Sequence, residues 1–459
     1  MMRRSIAMMS VSQMEEALRE ILGPEANELA KKTGFIQRER KEGITGSNFA
    51  QTVVFGWLAK GNATLGQLTQ MAQNCNLNIT ESGLSQRFTK EAAEFLRQIL
   101  EKLTNYTMKA EAADIPLLKR FSAVILEDST VVSLPPELEE VWEGCGGSTG
   151  TSKAALKMHV RWDIKSGELQ GPQLTDGKVH DSKGPFQDTP VPGGALYVAD
   201  LAYFFLARIK KWRKRDEEGK RRYVVTRLNT QCNLYTHSGH KLELRGLLPR
   251  QPGKVVELGV LVGKQDRLPA RLIMICLSDE VTKKRQEKIE KEAKADGRTA
   301  SPEQLELARW LLLLTTAPCR LLSFREIVVI VRLRWQIELL FKLWKEHGMI
   351  DEWGTKKPWR ILCEIYGKMI AMIIQHWLLL WGCWHDPHRS LVKAAEIVRQ
   401  SARRIIDALH ANKQTKQMQQ ALLAIKQEMR SGCRLNPRKT HPNTSQLLLD
   451  GLDWHLTLT

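Results

Sequence analysis

Three acidic residues stand where packing alone gives no reason for a charge. Asp128 closes the apolar half of SAVILEDSTVVSLP, a β-branched run that also carries Glu127, Ser129 and Thr130. Asp200 closes the apolar run ALYVAD. Glu338 lies in LRWQIELLFKLWK, residues 333–345, where Arg334, Lys342 and Lys345 are the other charges. At 100° per residue these four charges fall within an arc of roughly 80°, one polar stripe on a helix expected to be buried on its other faces. Leu333, Ile337, Leu340, Phe341 and Trp344 flank the stripe on one side, and Trp335, Leu339 and Leu343 on the other. Each feature has an ordinary explanation: ion pairs on a solvated face, a cap for Asp200, a turn at Asp128. Together they suit a chemistry. Gathered carboxylates repel one another, and hard divalent cations with oxygen ligands remove that repulsion. Two Mg²⁺ ions roughly 4 Å apart activate an attacking hydroxyl and stabilise a leaving one at phosphorus. Glu338 would then reach the metals, while Arg334, Lys342 and Lys345 would hold phosphates of the strand being cut.

Such carboxylates need rigid strand ends, and the sequence supplies candidates. KMHVRWDI, the turn KSGE and a second extended stretch read as a hairpin. ALYVADLAYFFLARIKKW begins as a buried strand, reaches Asp200 and turns into a helix, and YVVTRL, residues 223–228, is a further strand. Strands with an interposed helix suggest a mixed α/β sheet. Ends of such strands are where sites are built. Residues 229–323 loosen into short strands (KLELRGL, KVVELGVLVG, ARLIMICL), then a solvated Glu/Lys helix and RWLLLLTTAP, a β-rich insertion. The chain before about Asn105 reads as all-helical. There LGQLTQMA and ITESGLSQRF, the latter capped by Thr80 or Ser82, resemble a helix-turn-helix that exposes Ser85, Gln86 and Arg87.

Composition names the partner class. Sixty-nine Lys and Arg against 51 Asp and Glu leave +18 in 459 residues, so polyanions are the natural partners, nucleic acid first. The segment KKWRKRDEEGKRR, residues 210–222, is a candidate phosphate-binding stretch. A membrane partner is not expected: the apolar run from Met369 to Cys383 is too short to span and contains Gln375 and His376. MMRRSIAMMSVSQMEE has only a stub of an apolar region and does not read as a signal peptide. Eight scattered cysteines without a CxxC suit a reducing cytoplasm. CWHDPH, residues 383–388, reads as a helix end before Pro387 and not as a metal site.

At this point the chain resembles a known family, the DDE transposases of bacterial insertion sequences. More narrowly it resembles the insertion sequence four family, with its Y-x2-R-x3-E-x6-K signature and RNase H-like core. The blocks that carry the likeness are GFIQRERK, FAQTVVFGWL, LEDSTVVSLP, LYVADLAYF, LLLLTTAP, RLRWQIELLFKLWK and ILCEIYGKMIAMIIQHWLLL, in that order along nearly the whole chain. The resemblance implies Asp128, Asp200 and Glu338 as a catalytic, metal-binding triad, with Arg334 and Lys345 in the signature's Arg and Lys positions. Val331 stands where the signature has Tyr, which in the family holds the transposon end near the cut. Trp310, ahead of the LLLT block, is the candidate for the insertion-domain tryptophan thought to receive a flipped base, and Arg227 a further DNA contact.

The domains this implies are a helical DNA-binding region, 1–115, and an RNase H-like core in two parts, 116–228 and 324–385. The insertion, 229–323, interrupts the core, and a helical C-terminal region, 386–459, is a possible dimerisation element. The implied function is cut-and-paste transposition: binding terminal inverted repeats, cleaving phosphodiesters with two Mg²⁺ ions (Mn²⁺ substituting), and joining the 3′-OH to target DNA. The signature also implies a hairpin intermediate on the transposon end. Double-stranded DNA is the expected partner, a homodimer the expected synaptic form, and the bacterial cytoplasm, at the nucleoid, the expected location. The alternatives are a two-metal nuclease without strand transfer and a decayed or repurposed DNA binder without chemistry.

Overall fold

A computed structural model describes residues 10–38, 43–146, 153–295, 297–411, 416–438 and 442–449. The basic N-terminal stretch 1–9, the ERK that ends GFIQRERK beyond residue 38, and the tail 450–459 lie outside the described residues. The strands are β1 (Val124–Leu134), β2 (Ala154–Asp163), β3 (Leu169–Asp176), β4 (Leu196–Ala199), β5 (Tyr223–Arg227), β6 (Leu234–Tyr235), β7 (Lys241–Leu242), β8 (Val255–Val262), β9 (Leu268–Cys276) and β10 (Trp310–Thr315). The chain divides into two compact units. One comprises Met1–Asp114, Ser129–His180 and Glu338–Asn436; the other Ile115–Asp128, Asp181–Ile337 and Pro437–Thr459. The boundaries fall inside β1, after Asp128, and inside the helix Arg334–Lys342, before Glu338.

The second unit is built on a mixed sheet. The first half of β1, β4 and β5 run parallel. Strand β10 then returns antiparallel to β5, and β9, β8 and β6–β7 continue the antiparallel run. The region expected as an insertion therefore extends the sheet through β10, which pairs with both β5 and β9. Strand β4 is buried throughout, as a parallel strand covered on both faces must be. One side packs Ile125, Tyr197 and Ala199 against Ile209 and Trp212 of the helix Leu206–Arg213. The Glu/Lys helix Asp279–Ala295 buries only Thr282 and Ala293 among its described residues.

The first unit is organised around the helix Pro358–Cys383, buried on nearly every side. It packs against the helices Gly46–Ala59, Lys90–Thr104, Leu391–Gln400 and Gln417–Gly432. The hairpin β2–β3 belongs to the same unit. No helix among the described residues is long and apolar enough to cross a membrane.

The LRWQIELLFKLWK segment departs from its expected form in two ways. It is not one helix: Leu333 closes Phe324–Arg332, the helix Arg334–Lys342 follows, and Leu343–His347 is a π-helical turn. It is also not buried on all its apolar positions, since Trp335 is 55% and Leu339 37% exposed. The π turn, closed by Gly348 N–H donating to Leu343 O, is wider than an α turn and carries Lys345 off the Arg334–Glu338 line.

Candidate active site

Strand register accounts for the pairing of the two aspartates. In the parallel pair β1–β4, Val124 lies opposite Leu196 and Leu126 opposite Val198. One step further on the same face stand Asp128 and Asp200, one at the point where β1 leaves the apolar core and the other just past the end of β4. Neighbouring strands are about 4.8 Å apart, so the two carboxylates leave the sheet side by side. Period-2 alternation turns Glu127 to the opposite, buried face, where it is 5% exposed.

Both aspartates meet one cation. Arg334 Nη1 lies 3.3 Å from Asp200 Oδ2 and 4.0 Å from Asp128 Oδ2. The other oxygen of Asp200, Oδ1, accepts from Leu201 N–H at 2.7 Å and caps the short 3₁₀ turn Leu201–Tyr203. The capping role that Asp200 could have played alone is therefore real and uses only one oxygen. Two hard oxygen donors converging on a positive group have the donor chemistry of a divalent-ion site, with the guanidinium standing where positive charge is required. Among the described residues no group of three His, Cys, Asp or Glu side chains gathers closely enough to hold a metal. Two carboxylates are brought together; the third candidate, Glu338, follows Arg334 by one turn on its helix and belongs to the other unit.

Within that other unit, Lys345 Nζ donates to Val131 O of β1 at 2.9 Å and lies 3.9 Å from Asp351 Oδ2. Lys342 is more than half exposed and pairs with Glu346 at 3.5 Å, an i,i+4 contact of little energetic weight. The loop holding Asp351 begins at Met349, in the left-handed region at φ 50°. It is anchored by Lys368, whose 1%-exposed ammonium donates to Met349 O at 3.2 Å and Glu352 O at 2.6 Å. Burial pulls the Lys368 pKa down, opposed by Glu364 at 3.5 Å. The sequence offers one cue to this anchor, a lysine four residues after a glutamate inside a largely apolar helix.

The remaining candidates fall in separate places. Gln86 and Arg87 are exposed between Glu81–Ser85, a helix of five residues, and the next helix, Lys90–Thr104, capped by Thr89. Arg227 and Trp310, 83 positions apart in the chain, line one cavity of about 530 Å³ together with Asn229, Gln231, Arg285 and Gln304. Trp310 opens β10, and its Nε1–H donates to Pro249 O at 2.8 Å. Arg285 donates to Trp310 O at 3.0 Å, and its pKa is lowered to about 10, by burial first and then by the like charge of Arg227. Arg285 escaped the sequence reading because it sits in a run of solvated Lys and Glu. Val331 is half-buried in the helix Phe324–Arg332. The apolar helix ends at Cys383, ahead of the CWHDPH bend.

The family model described as "Transposase DDE domain" matches residues 119–374. The transposase for insertion sequence element IS231B of Bacillus thuringiensis subsp. berliner is 28% identical over 384 residues, 78% of each chain. That for IS231C of the same organism is 29% identical over 384 residues, again 78% of each. Among solved structures, a piggyBac transposase synaptic complex with hairpin DNA matches 90% of this chain and 85% of its own, at 11% identity and a TM-score of 0.45. The family model spans more than half of the sequence, from before Asp128 to beyond Glu338, and the chain belongs to the DDE transposase family of bacterial insertion sequences.

Proposed function

We propose that Asp128, Asp200 and Glu338 are the catalytic carboxylates of this transposase and that they hold two Mg²⁺ ions, with Mn²⁺ able to replace them. The enzyme cleaves DNA and transfers strands, with the divalent-metal dependence general to its family. The observation that supports the finer reading is the pair Asp128–Asp200, on one face of adjacent parallel strands with Arg334 against both. Bound there, the metal ions would activate the attacking oxygen and stabilise the leaving one at phosphorus. The residues themselves orient the reaction. Asp200 presents one oxygen to the site because the other is held by Leu201 N–H. Arg334, displaced from the carboxylates by the incoming cation, becomes available to a phosphate of the same strand. Lys345, steadied by Asp351 and Val131 O, offers a second phosphate contact.

The DNA is double-stranded, the terminal inverted repeats and a target, bound by a homodimer in the synaptic complex. Cleavage frees a 3′-OH that is then joined to the target. A hairpin on the transposon end is the form that the signature implies, reached here with Val331 in the tyrosine position. The cavity of Arg227, Arg285 and Trp310 suits an extruded nucleotide, offering a ring for the base and guanidinium groups for its phosphate. Gln86, Arg87 and Lys342 are exposed contacts for the duplex.

The test uses purified protein, duplexes carrying the element's own ends, Mg²⁺ and a target plasmid. Asp128→Asn, Asp200→Asn and Glu338→Gln each abolish cutting and joining while end binding stays near wild type. Wild-type cleavage by any one variant removes that residue from the triad. Cutting without joining in the wild-type protein marks a nuclease, and binding alone marks a decayed copy.

A further inference from the structure

Glu127 is a carboxylate on the apolar face of a parallel strand. Ile125, two residues earlier on that face, belongs to the core with Tyr197, Ile209 and Trp212. Glu127 enters this core with a partner, Arg208, whose Nη2 donates to Glu127 Oε2 at 2.9 Å; the side chains are 5% and 9% exposed. The same nitrogen donates to Tyr197 Oη at 3.2 Å. The guanidinium lies 4.3 Å from the centre of the Trp212 ring and 5.1 Å from that of Tyr197. Arg208 is in the first turn of Leu206–Arg213, the helix the chain enters just after Asp200. One buried bond therefore joins the residue before Asp128 to the helix after Asp200.

Position makes the bond informative. The backbone register that spaces β1 from β4 is recorded from Val124–Leu196 to Leu126–Val198, and β4 ends at Ala199. At the level of the two aspartates the ladder has run out. The Glu127–Arg208 pair acts at that level, on the other side of the sheet. A buried ion pair is weak as a source of stability, and apolar residues of similar volume commonly replace one without loss. It is directional, however, and its planar donor group is packed against two aromatic rings set edge to face with each other.

We propose that Glu127 and Arg208 are positioning residues, setting the separation of Asp128 and Asp200 to the span of a divalent ion. This rests on the reading of those aspartates as metal ligands. They touch neither metal nor DNA, and they act through the carboxylates on the opposite face.

The experiment measures Mn²⁺ binding to the full-length protein by electron paramagnetic resonance, alongside the thermal midpoint. In the double variant Glu127→Met/Arg208→Met the midpoint stays within a few degrees of wild type, because an apolar pair fills the same space. Its Mn²⁺ dissociation constant rises about tenfold, the size of effect expected when groups that orient metal ligands are removed. Arg208→Lys keeps the charge but not the planar fork, and shows a smaller rise in the same direction; it decides the matter if the double variant does not fold. Wild-type Mn²⁺ affinity in the folded double variant, or in Arg208→Lys when that alone folds, overturns the proposal. Asp128→Asn separates the two levels. If it too binds Mn²⁺ like wild type, the metal reading has failed; if it loses Mn²⁺ while the double variant does not, only the positioning role has.

Discussion

Arg334 stands against both aspartates, and removing it should move two observables in opposite directions. Its Nη1 is 3.3 Å from Asp200 and 4.0 Å from Asp128, with the three side chains between 21% and 34% exposed. At that exposure solvent screens the pairs, and each contributes ~0.5–1 kcal/mol. Arg334→Ala should therefore destabilise the metal-free protein by ~1 kcal/mol. For a unit of this size that is a fall of ~2–4 °C in the melting midpoint. A divalent ion must take the carboxylate oxygens that the guanidinium holds, so the wild-type protein gives up the same ~1 kcal/mol on binding metal. Without the competitor the ion binds ~5-fold tighter, since 1.4 kcal/mol is a tenfold change in an equilibrium constant. On the proposed role of Arg334 as a phosphate contact, cleavage should nonetheless fall sharply.

The assay is Mn²⁺ titration of DNA-free wild type, Arg334→Ala and Arg334→Lys, with melting curves in chelator and in millimolar Mg²⁺. Arg334→Ala should melt early in chelator and recover in Mg²⁺, as binding to the folded state alone requires. Arg334→Lys should lie between it and wild type. A weakened or unchanged Mn²⁺ affinity in Arg334→Ala would refute the competition. The arginine would then be a support for the carboxylates and not a placeholder for charge.

Two further outcomes follow. Lys211 and Lys214 are exposed at the end of the helix Leu206–Arg213, whereas Asp216 is used within the turn, accepting from Lys220 N–H. Replacing both lysines with Ala should lower the slope of log affinity against log salt by about 2, since each phosphate contact contributes about 0.9. An unchanged slope assigns this segment to solvent. His376, fully buried with its Nε2 2.8 Å from Gly167 O, has its pKa lowered from 6.5 to about 4, by burial foremost. The unfolded chain takes up a proton below pH 6.5 that the folded chain refuses, so stability falls as the pH drops from 6.5 towards 4, by ~3 kcal/mol from this group. His376→Gln should lose correspondingly less across that window in pH-dependent melting, and equal losses in the two proteins would exclude the histidine as the cause.

Which parts of this site could be read from sequence depends on the range of the forces involved. Asp128 and Asp200 were visible because a buried strand has a local signature, and an acid at its end stands out. Their neighbour Glu127 carried the same kind of signal: counting by twos from Ile125 turns it inward, away from Asp128. The partner that makes its burial tolerable, Arg208, is 81 positions away and looks like the start of a basic surface helix. The stripe on LRWQIELLFKLWK assumes one helical period throughout. The chain instead breaks at Leu333 and makes a π turn at Leu343–His347, where Lys345 meets Val131 O, a contact that no local period contains. The same holds for Trp310 and Arg227, which meet because β10 returns beside β5, with Leu313 opposite Arg227. Charge type is written locally and charge pairing is not. Arg334 illustrates the difference: its place on the stripe fits the proposed phosphate contact, and nothing local to it foretells that its guanidinium lies against Asp128 and Asp200.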